Sequence, residues 1–272
     1  MDSLFVRTGP LMDVNSYPAW LRDIVHQCAG ARHEVVNHPL IRGMRDGTVP
    51  AAAMWRFLTG LWPVIEQFPQ YMAMNLLKVR YDAGPGHTLA RTYLIRNIRV
   101  EQNHLDYWLD WAHGHGIGRE ELLHVTRSGA MDALSHWCWR TCDADPLPVA
   151  MAATNYAIEG ATGEWATKVC ESAEYSGRFP PEARNKVMKW LRVHAQYDDT
   201  HPWEALEIIA TLIGPHASAR EVAAITSAIL KSHEYMIMAF NDCLMIPGAQ
   251  DAPTTRSASA RTRASSRTTP DT

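Results

Sequence analysis

Long apolar runs are missing from this chain of 272 residues. No stretch reaches the length of about 18 apolar residues that a membrane helix needs. Met1–Asp13 has neither a basic start nor an apolar core, which argues against secretion. Neither sign of charge is in excess. With a formal net charge of −3 there is no basic footprint, so nucleic acid and anionic membranes are excluded as expected partners. Cys28, Cys138, Cys142, Cys170 and Cys243 are odd in number and contain no Cys-x-x-Cys pair. Reduced thiols and a cytoplasmic location are the expectation. A Gly-x-Ser-x-Gly elbow, a phosphate loop and a dinucleotide fingerprint are all absent, which leaves hydrolase and kinase readings without support. There is no fixed-period repeat and almost no strand-like alternation.

What is present is helical punctuation. Ser16 and Pro18 open a helix that Gly30 can close, and Pro39 kinks or splits the segment from His33 to Arg45. Pro50 to Tyr81 is a long apolar stretch bent by Pro63 and Pro69. After Gly84-Pro85-Gly86 a helix is expected from Thr88 to His113, followed by helices near 119–125, 130–140, 148–175, 181–213 and 217–245. This is an all-α plan with one domain over 1–246. Residues 247–272 are rich in Ser, Thr and Arg and hold hardly a large apolar side chain, so a disordered tail is expected there.

Metal-ligand side chains interrupt the apolar stripes of these helices. Glu101 lands on the stripe of Leu94, Ile98, Leu105, Trp108 and Ala112, and His104 lies beside it as the second half of a Glu-x-x-His pair. His194, Asp198 and His201 interrupt a face marked by Trp190, Leu191, Ala205 and Ile208, at a spacing that aims all three from one side of a helix. Ala152, Tyr156, Ala166 and Cys170 frame Glu159, and Trp62, Ile65 and Ala73 frame Glu66. Burying so many ionisable groups costs several kcal/mol each unless charge compensates, and two divalent cations would compensate it. Carboxylate-rich helical sites of this kind hold paired iron or manganese.

Taken singly, a lone histidine is more often a hydrogen-bonded core or surface group, and a lone Glu66 a solvated helix residue. It is the set that points to metal. Glu164 and Asp199 neighbour candidates but point away from them, and His113, His115 and His124 read as solvated. Tyr71, Met72, Met74, Tyr235, Met236 and Met238 read first as core packing and second as the lining of an apolar pocket. Cys138 and Cys142 read as buried structural thiols.

Several longer segments carry a resemblance. Asn97–Glu101, Asn155–Trp165, Met188–Leu191, His194–Asp199 and His201–Glu207, with Arg7–Met12 and Trp62–Phe68, resemble the bacterial non-haem iron oxidases that convert medium-chain fatty acids to terminal alkenes, the 1-undecene-forming decarboxylases. The resemblance spans about residues 5–245. It implies a haem-oxygenase-like bundle of about seven core helices that holds two Fe(II) ions, with O2 as co-substrate and an external electron donor. Glu101, His104, Glu159 and His194 would hold one iron and Glu66, Asp198 and His201 a weaker second one, with Glu101 bridging and Glu101 and Glu159 catalytic. Tyr107, Tyr156 and Trp190 would line the substrate cavity. The implied reaction removes hydrogen from C3 of a saturated fatty acid such as lauric acid and releases CO2 and a 1-alkene. Three alternatives stay open: the same cluster acting on an amino acid or aromatic acid, a metal-free thiamin-degrading enzyme that needs a cysteine nucleophile, and a non-catalytic metal-binding protein.

Overall fold

The computed structural model describes residues 4–197 and 200–245, with Tyr197 described by its backbone alone. Among the described residues every regular element is a helix, as the patterning requires. Asp198, Asp199 and the expected tail lie outside the described residues.

A continuous helical rod from Leu147 to Cys170 runs through the middle of the bundle. It starts as an α-helix (Leu147–Met151), loosens into a π-helix (Ala152–Ile158) and returns to α from Glu159 to Cys170. Around it pack Ala19–Val36, Lys189–Tyr197, His201–Ile213 and the long Ala219–Leu244, while Trp62–Leu77 and Pro85–Glu101 pack on each other and close one side. The middle of the rod is fully covered, with all of Ala152–Ala161 buried, while Glu164 near its end reaches solvent.

Local sequence explains most of the boundaries. Pro39, Pro63, Pro85, Pro148, Pro181 and Pro202 sit in first turns, where a missing N–H costs nothing. Ser128 and Ser218 cap the helices that follow them, Ser218 in a reciprocal box with Glu221. Gly86 has no substitute. A Cβ there would lie 2.8 Å from the backbone nitrogen of Leu212, so Pro85–Glu101 and His201–Ile213 cross backbone to backbone at this point.

Several boundaries differ from the sequence expectation, among them the end of the helix expected over 148–175, which stops at Cys170 before a separate Ala173–Gly177. The first helix runs through Gly30 to Val36, because burying Val35 and Val36 is worth about 1.5–3 kcal/mol each against about 1 kcal/mol for a mid-helix glycine. The expected helix Thr88–His113 is two helices, Pro85–Glu101 and His104–Gly114. Gln102 and Asn103 keep right-handed helical angles, but the turn tightens, with the Asn103 N–H bonded to the carbonyl of Val100 three residues back. The expected helix over 181–213 is three helices, Pro181–Val187, Lys189–Tyr197 and His201–Ile213. Pro202 accounts for the last break, since inside a continuous helix its ring would clash with the carbonyl four residues earlier. Finally, the stretch of Pro50 to Tyr81 divides at Leu61 into Ala51–Gly60 and Trp62–Leu77.

Candidate metal centre

Glu101, His104, Glu159 and His194 come from four helices and line one cavity of about 60 Å³. All four are buried, at 3–7 % exposure. The rest of the wall is largely apolar: Leu61, Val64, Ile65, Phe68, Leu134, Ile158, Met236 and Phe240, with Trp108, Trp165 and Trp190 behind the histidines. Such a volume holds a few water-sized groups, and its walls supply little competition for a charged occupant.

Glu159 opens the α-helix that follows the π segment, so the looser turns set its rotation into the cavity. Its Oε2 accepts hydrogen bonds from Tyr93 Oη at 3.0 Å and Asn155 Nδ2 at 3.1 Å. Its Oε1 is buried without a hydrogen-bond partner. His194 Nδ1 lies 2.8 Å from the carbonyl of Trp190. A carbonyl only accepts, so the proton is on Nδ1 and the bare Nε2 lone pair is the one left for a ligand role. The ring stacks on Trp190 at 3.7 Å between centroids and stands 4.5 Å from the ring of His104.

Glu101 ends its helix and His104 begins the next, across the tightened turn. Glu101 Oε2 approaches His104 Nδ1 to 2.8 Å. The angles are not those of a hydrogen bond, and neither ring nitrogen of His104 has such a partner. Two lone-pair atoms held side by side at this distance match the edge of a coordination shell with bonds of about 2.0–2.1 Å, for which an octahedral edge is about 2.9 Å.

The electrostatics favour a cation in the same place. Burial, then the neighbouring Glu101 carboxylate, pushes the Glu159 carboxyl well above the usual carboxylate range, against the pull of Asn155 and Tyr93. Burial, then His104, pushes His194 well below the ordinary imidazole value. Both shifts express the cost of charge in a dry, crowded pocket, and a positive ion reverses the term for the carboxylates. Buried lone pairs without partners, two acids sharing one cavity and an all N/O donor set therefore fit iron in chemistry. No group of three or more His, Cys, Asp or Glu donors is closed up to metal-holding geometry among the described residues.

The other expected site residues are dispersed. Glu66 is exposed and outside the cavity wall, contrary to its expected core-side position. Val64, Ile65 and Phe68 occupy the inward face, and at about 100° per residue Glu66 turns some 160° from the Val64–Phe68 line. His201 starts its own helix and lines an open polar cleft on the far side of His104, with Arg96, Asn97, Lys189 and Glu204. Burial lowers its imidazole, while Glu204 and Glu101 raise it. Asp198 lies outside the described residues. Of the three expected substrate-lining residues, Trp190 is on the cavity wall, and Tyr107 is on the cleft with Lys189 Nζ 3.9 Å from its ring centroid. Tyr156 is buried but away from both, with Arg32 among the charges acting on it. Glu164 pairs with Arg32 at 2.8 Å, away from the donors.

Three polar residues at the centre went unread in the sequence. Asn155 and Tyr93 hold Glu159, and Asn97 is fully buried with its Nδ2 unpartnered at the cleft. Two had a signal: Asn155 is one turn before Glu159, and Asn97 one turn before Glu101. No cysteine lines the cavity.

Comparison with known proteins adds the following. A family profile of iron-containing redox enzymes matches residues 55–233. A TenA homologue from Pseudomonas syringae is 50 % identical, with 89 % of this chain and 99 % of that one covered at a TM-score of 0.87. A Shewanella denitrificans domain with a haem-oxygenase-like fold matches at 16 % identity, 82 % and 91 % coverage and a TM-score of 0.65. A Sulfolobus solfataricus protein, a TenA-like thiaminase by its description, matches at 14 % identity, 82 % and 96 % coverage and a TM-score of 0.55. The last two likenesses carry the fold alone. The curated proteins contain no match. These findings overturn the expectation of fatty-acid decarboxylation: the relative that shares half its residues with nearly the whole of this chain is a TenA homologue, and TenA proteins recur among the matched structures.

Proposed function

This chain belongs to the family of iron-containing redox enzymes, and from that premise we propose that it is a non-haem iron oxidase that acts with O2 on a small organic substrate of largely apolar body. The observation that carries the reading is the cavity itself, where two carboxylates and two imidazoles are buried together among apolar walls, with lone pairs on His104 and Glu159 that no protein group satisfies. Glu101, His104, Glu159 and His194 would hold the iron. His201 is a candidate for a second ion from the cleft side, Asp198 is a candidate by its spacing in the sequence, and Glu66 could join His201 only through a rotation of its helix. Iron bound there would supply one-electron redox chemistry and activation of O2.

The chain's own residues define the rest of the mechanism. Tyr93 and Asn155 fix one oxygen of Glu159, so that Oε1 alone is presented to the cavity. The carbonyl of Trp190 fixes the tautomer of His194. Leu61, Phe68, Met236 and Phe240 exclude water and leave room for no more than a small apolar group of a substrate, each buried CH2 adding about 0.8 kcal/mol. The polar cleft beyond His104, with Arg96 and Lys189, is the side from which an external electron donor would approach.

Anaerobic titration with ferrous iron, followed by O2 uptake with a reductant, tests the reading. Saturable binding that is lost in His104→Ala, with O2 consumption that follows bound iron, is expected. Absence of binding in the wild-type protein would refute it. The TenA relative supplies a second reading, cleavage of a thiamin-like compound. Against it stands the cavity wall without a cysteine nucleophile, and release of pyrimidine from thiamin by the metal-free protein would decide in its favour.

A further inference from the structure

A file of oxidisable rings leads away from the donor cluster. His194 is stacked on Trp190 at 3.7 Å, and Trp190 is stacked on Trp111 at 5.4 Å between centroids with 24° between planes. Trp111 Nε1 donates to Tyr175 Oη at 2.8 Å, and the same Oη lies 2.8 Å from His115 Nε2. Trp190, Trp111 and Tyr175 are all buried, and His115, expected to be solvated, is half-buried at the end of its helix. The contacts are unbroken from the cavity to the edge of the protein.

Hydrogen bonding gives the file a direction. Because Trp111 donates to the phenol oxygen, Tyr175 has its own proton free to donate, and His115 Nε2 accepts it. Burial and Arg178 hold His115 down to about 4, so the ring is neutral at neutral pH and its Nε2 is bare. Trp190 has no hydrogen-bond partner on its indole nitrogen, and Trp108 donates to the carbonyl of Leu58. A tryptophan cation radical formed on either meets no base. Within this file, Tyr175 is the ring that carries a proton acceptor already in place. Packing alone would be served by phenylalanine at 175 and needs no N–H···O–H···N relay.

We propose that Trp190, Trp111 and Tyr175 form an electron-transfer path that drains oxidising equivalents from the metal centre to the surface, with His115 as the proton acceptor. The proposal rests on the iron-oxidase reading above. Iron held by Glu101, His104, Glu159 and His194 would supply the one-electron oxidant in the presence of O2, and with no organic substrate at hand Trp190 would give up one electron and recover it through Trp111 from Tyr175. Tyr175 loses that electron and passes its phenolic proton to His115 Nε2, leaving a neutral tyrosyl radical and an imidazolium. A one-electron reductant of the ascorbate or thiol class in solution returns the electron, and His115 returns the proton. The net change is one electron from the solution reductant to the metal centre, and both side chains are restored.

Protein loaded with ferrous iron under argon, mixed with O2 without organic substrate and freeze-quenched, is examined by electron paramagnetic resonance. A tyrosyl signal is expected that is lost in Tyr175→Phe and quenched by ascorbate, with Trp111→Phe abolishing it while iron binding persists. A tyrosyl signal unchanged in Tyr175→Phe, or no protein radical although iron is bound and O2 is consumed, would overturn the path. If no iron binds, the redox reading itself falls, and iron-free protein photo-oxidised with a ruthenium trisbipyridine sensitiser and persulfate decides the wiring. A radical that depends on Tyr175 and is shortened in life by His115→Phe supports the relay, and one indifferent to both substitutions refutes it.

Discussion

Glu159 and His194 are fixed by hydrogen bonds to other parts of the protein, whereas Glu101 and His104 face each other across a helix break with no such support. The first pair sits on continuous helices in the packed centre. The second sits on the two lips of a tightened turn whose exposed residues, Gln102 and Asn103, face solvent. The anchored pair thus has its geometry before any metal arrives, and the unsupported pair has room to adjust to one. Orientation by outer hydrogen bonds is what makes ligand geometry costly to change, so the two pairs should respond differently to substitution.

The largest effect is expected from the anchored side. His194→Ala removes a buried ring stacked on Trp190, leaving a void, and should lower the unfolding free energy of metal-free protein by about 2–4 kcal/mol in urea titration, with iron binding lost as well. A change under half a kcal/mol would mean that the pair is not anchored at all. Acid probes the same support from behind. The last helix, which carries His233, packs on the π segment that leads to Glu159. Burial, then Arg32, holds His233 down to about 4 from an ordinary 6.5, so its contribution to stability is complete above 6.5 and lost as pH falls toward 4. His233 should contribute a limiting slope of about 1.4 kcal/mol per pH unit to the decline over that window, beside the contributions of His115 and His194, and the decline should be shallower by that amount in His233→Leu.

Tyr93→Phe takes one hydrogen bond from Glu159 Oε2 and leaves Asn155 in place. A loss of about 1 kcal/mol in stability is expected, with iron affinity weakened by roughly 10–100-fold, as calorimetry would read. The smallest stability effect belongs to the unsupported side. His104→Leu breaks no hydrogen bond and removes buried polar atoms without partners, so metal-free stability should stay within about 1 kcal/mol of wild type while iron binding disappears. A large destabilisation there would erase the contrast between the two pairs.

The all-helical fold was legible because helical periodicity and proline placement are local signals, and every regular element among the described residues is a helix. Glu101, Glu159 and His194 stood out because each interrupts an apolar stripe, and His104 because it pairs with Glu101 beside one; the four share a cavity wall. Where reading failed, a continuous helix had been assumed. Counting 100° per residue across 181–213 ignores the break before Pro202, so His201 faces a different space from that expected, while His104 keeps its place beside Glu101 across the turn at Gln102-Asn103. Glu66 was judged from Trp62, Ile65 and Ala73, whereas Val64 and Phe68 define the inward face. The burial of His115 against Tyr175 depends on contacts sixty residues apart, for which no local pattern exists.

The π segment Ala152–Ile158 binds chain length to ligand geometry. A π turn holds one residue more than an α turn. Rewinding of the segment into uninterrupted α-helix with all seven residues kept would turn Glu159 by about 100° against everything upstream. Its carboxylate would leave Tyr93 and Asn155 together. One further inserted residue, which a surface loop absorbs freely, would turn the carboxylate by a similar angle here, so the winding of these seven residues is part of the site.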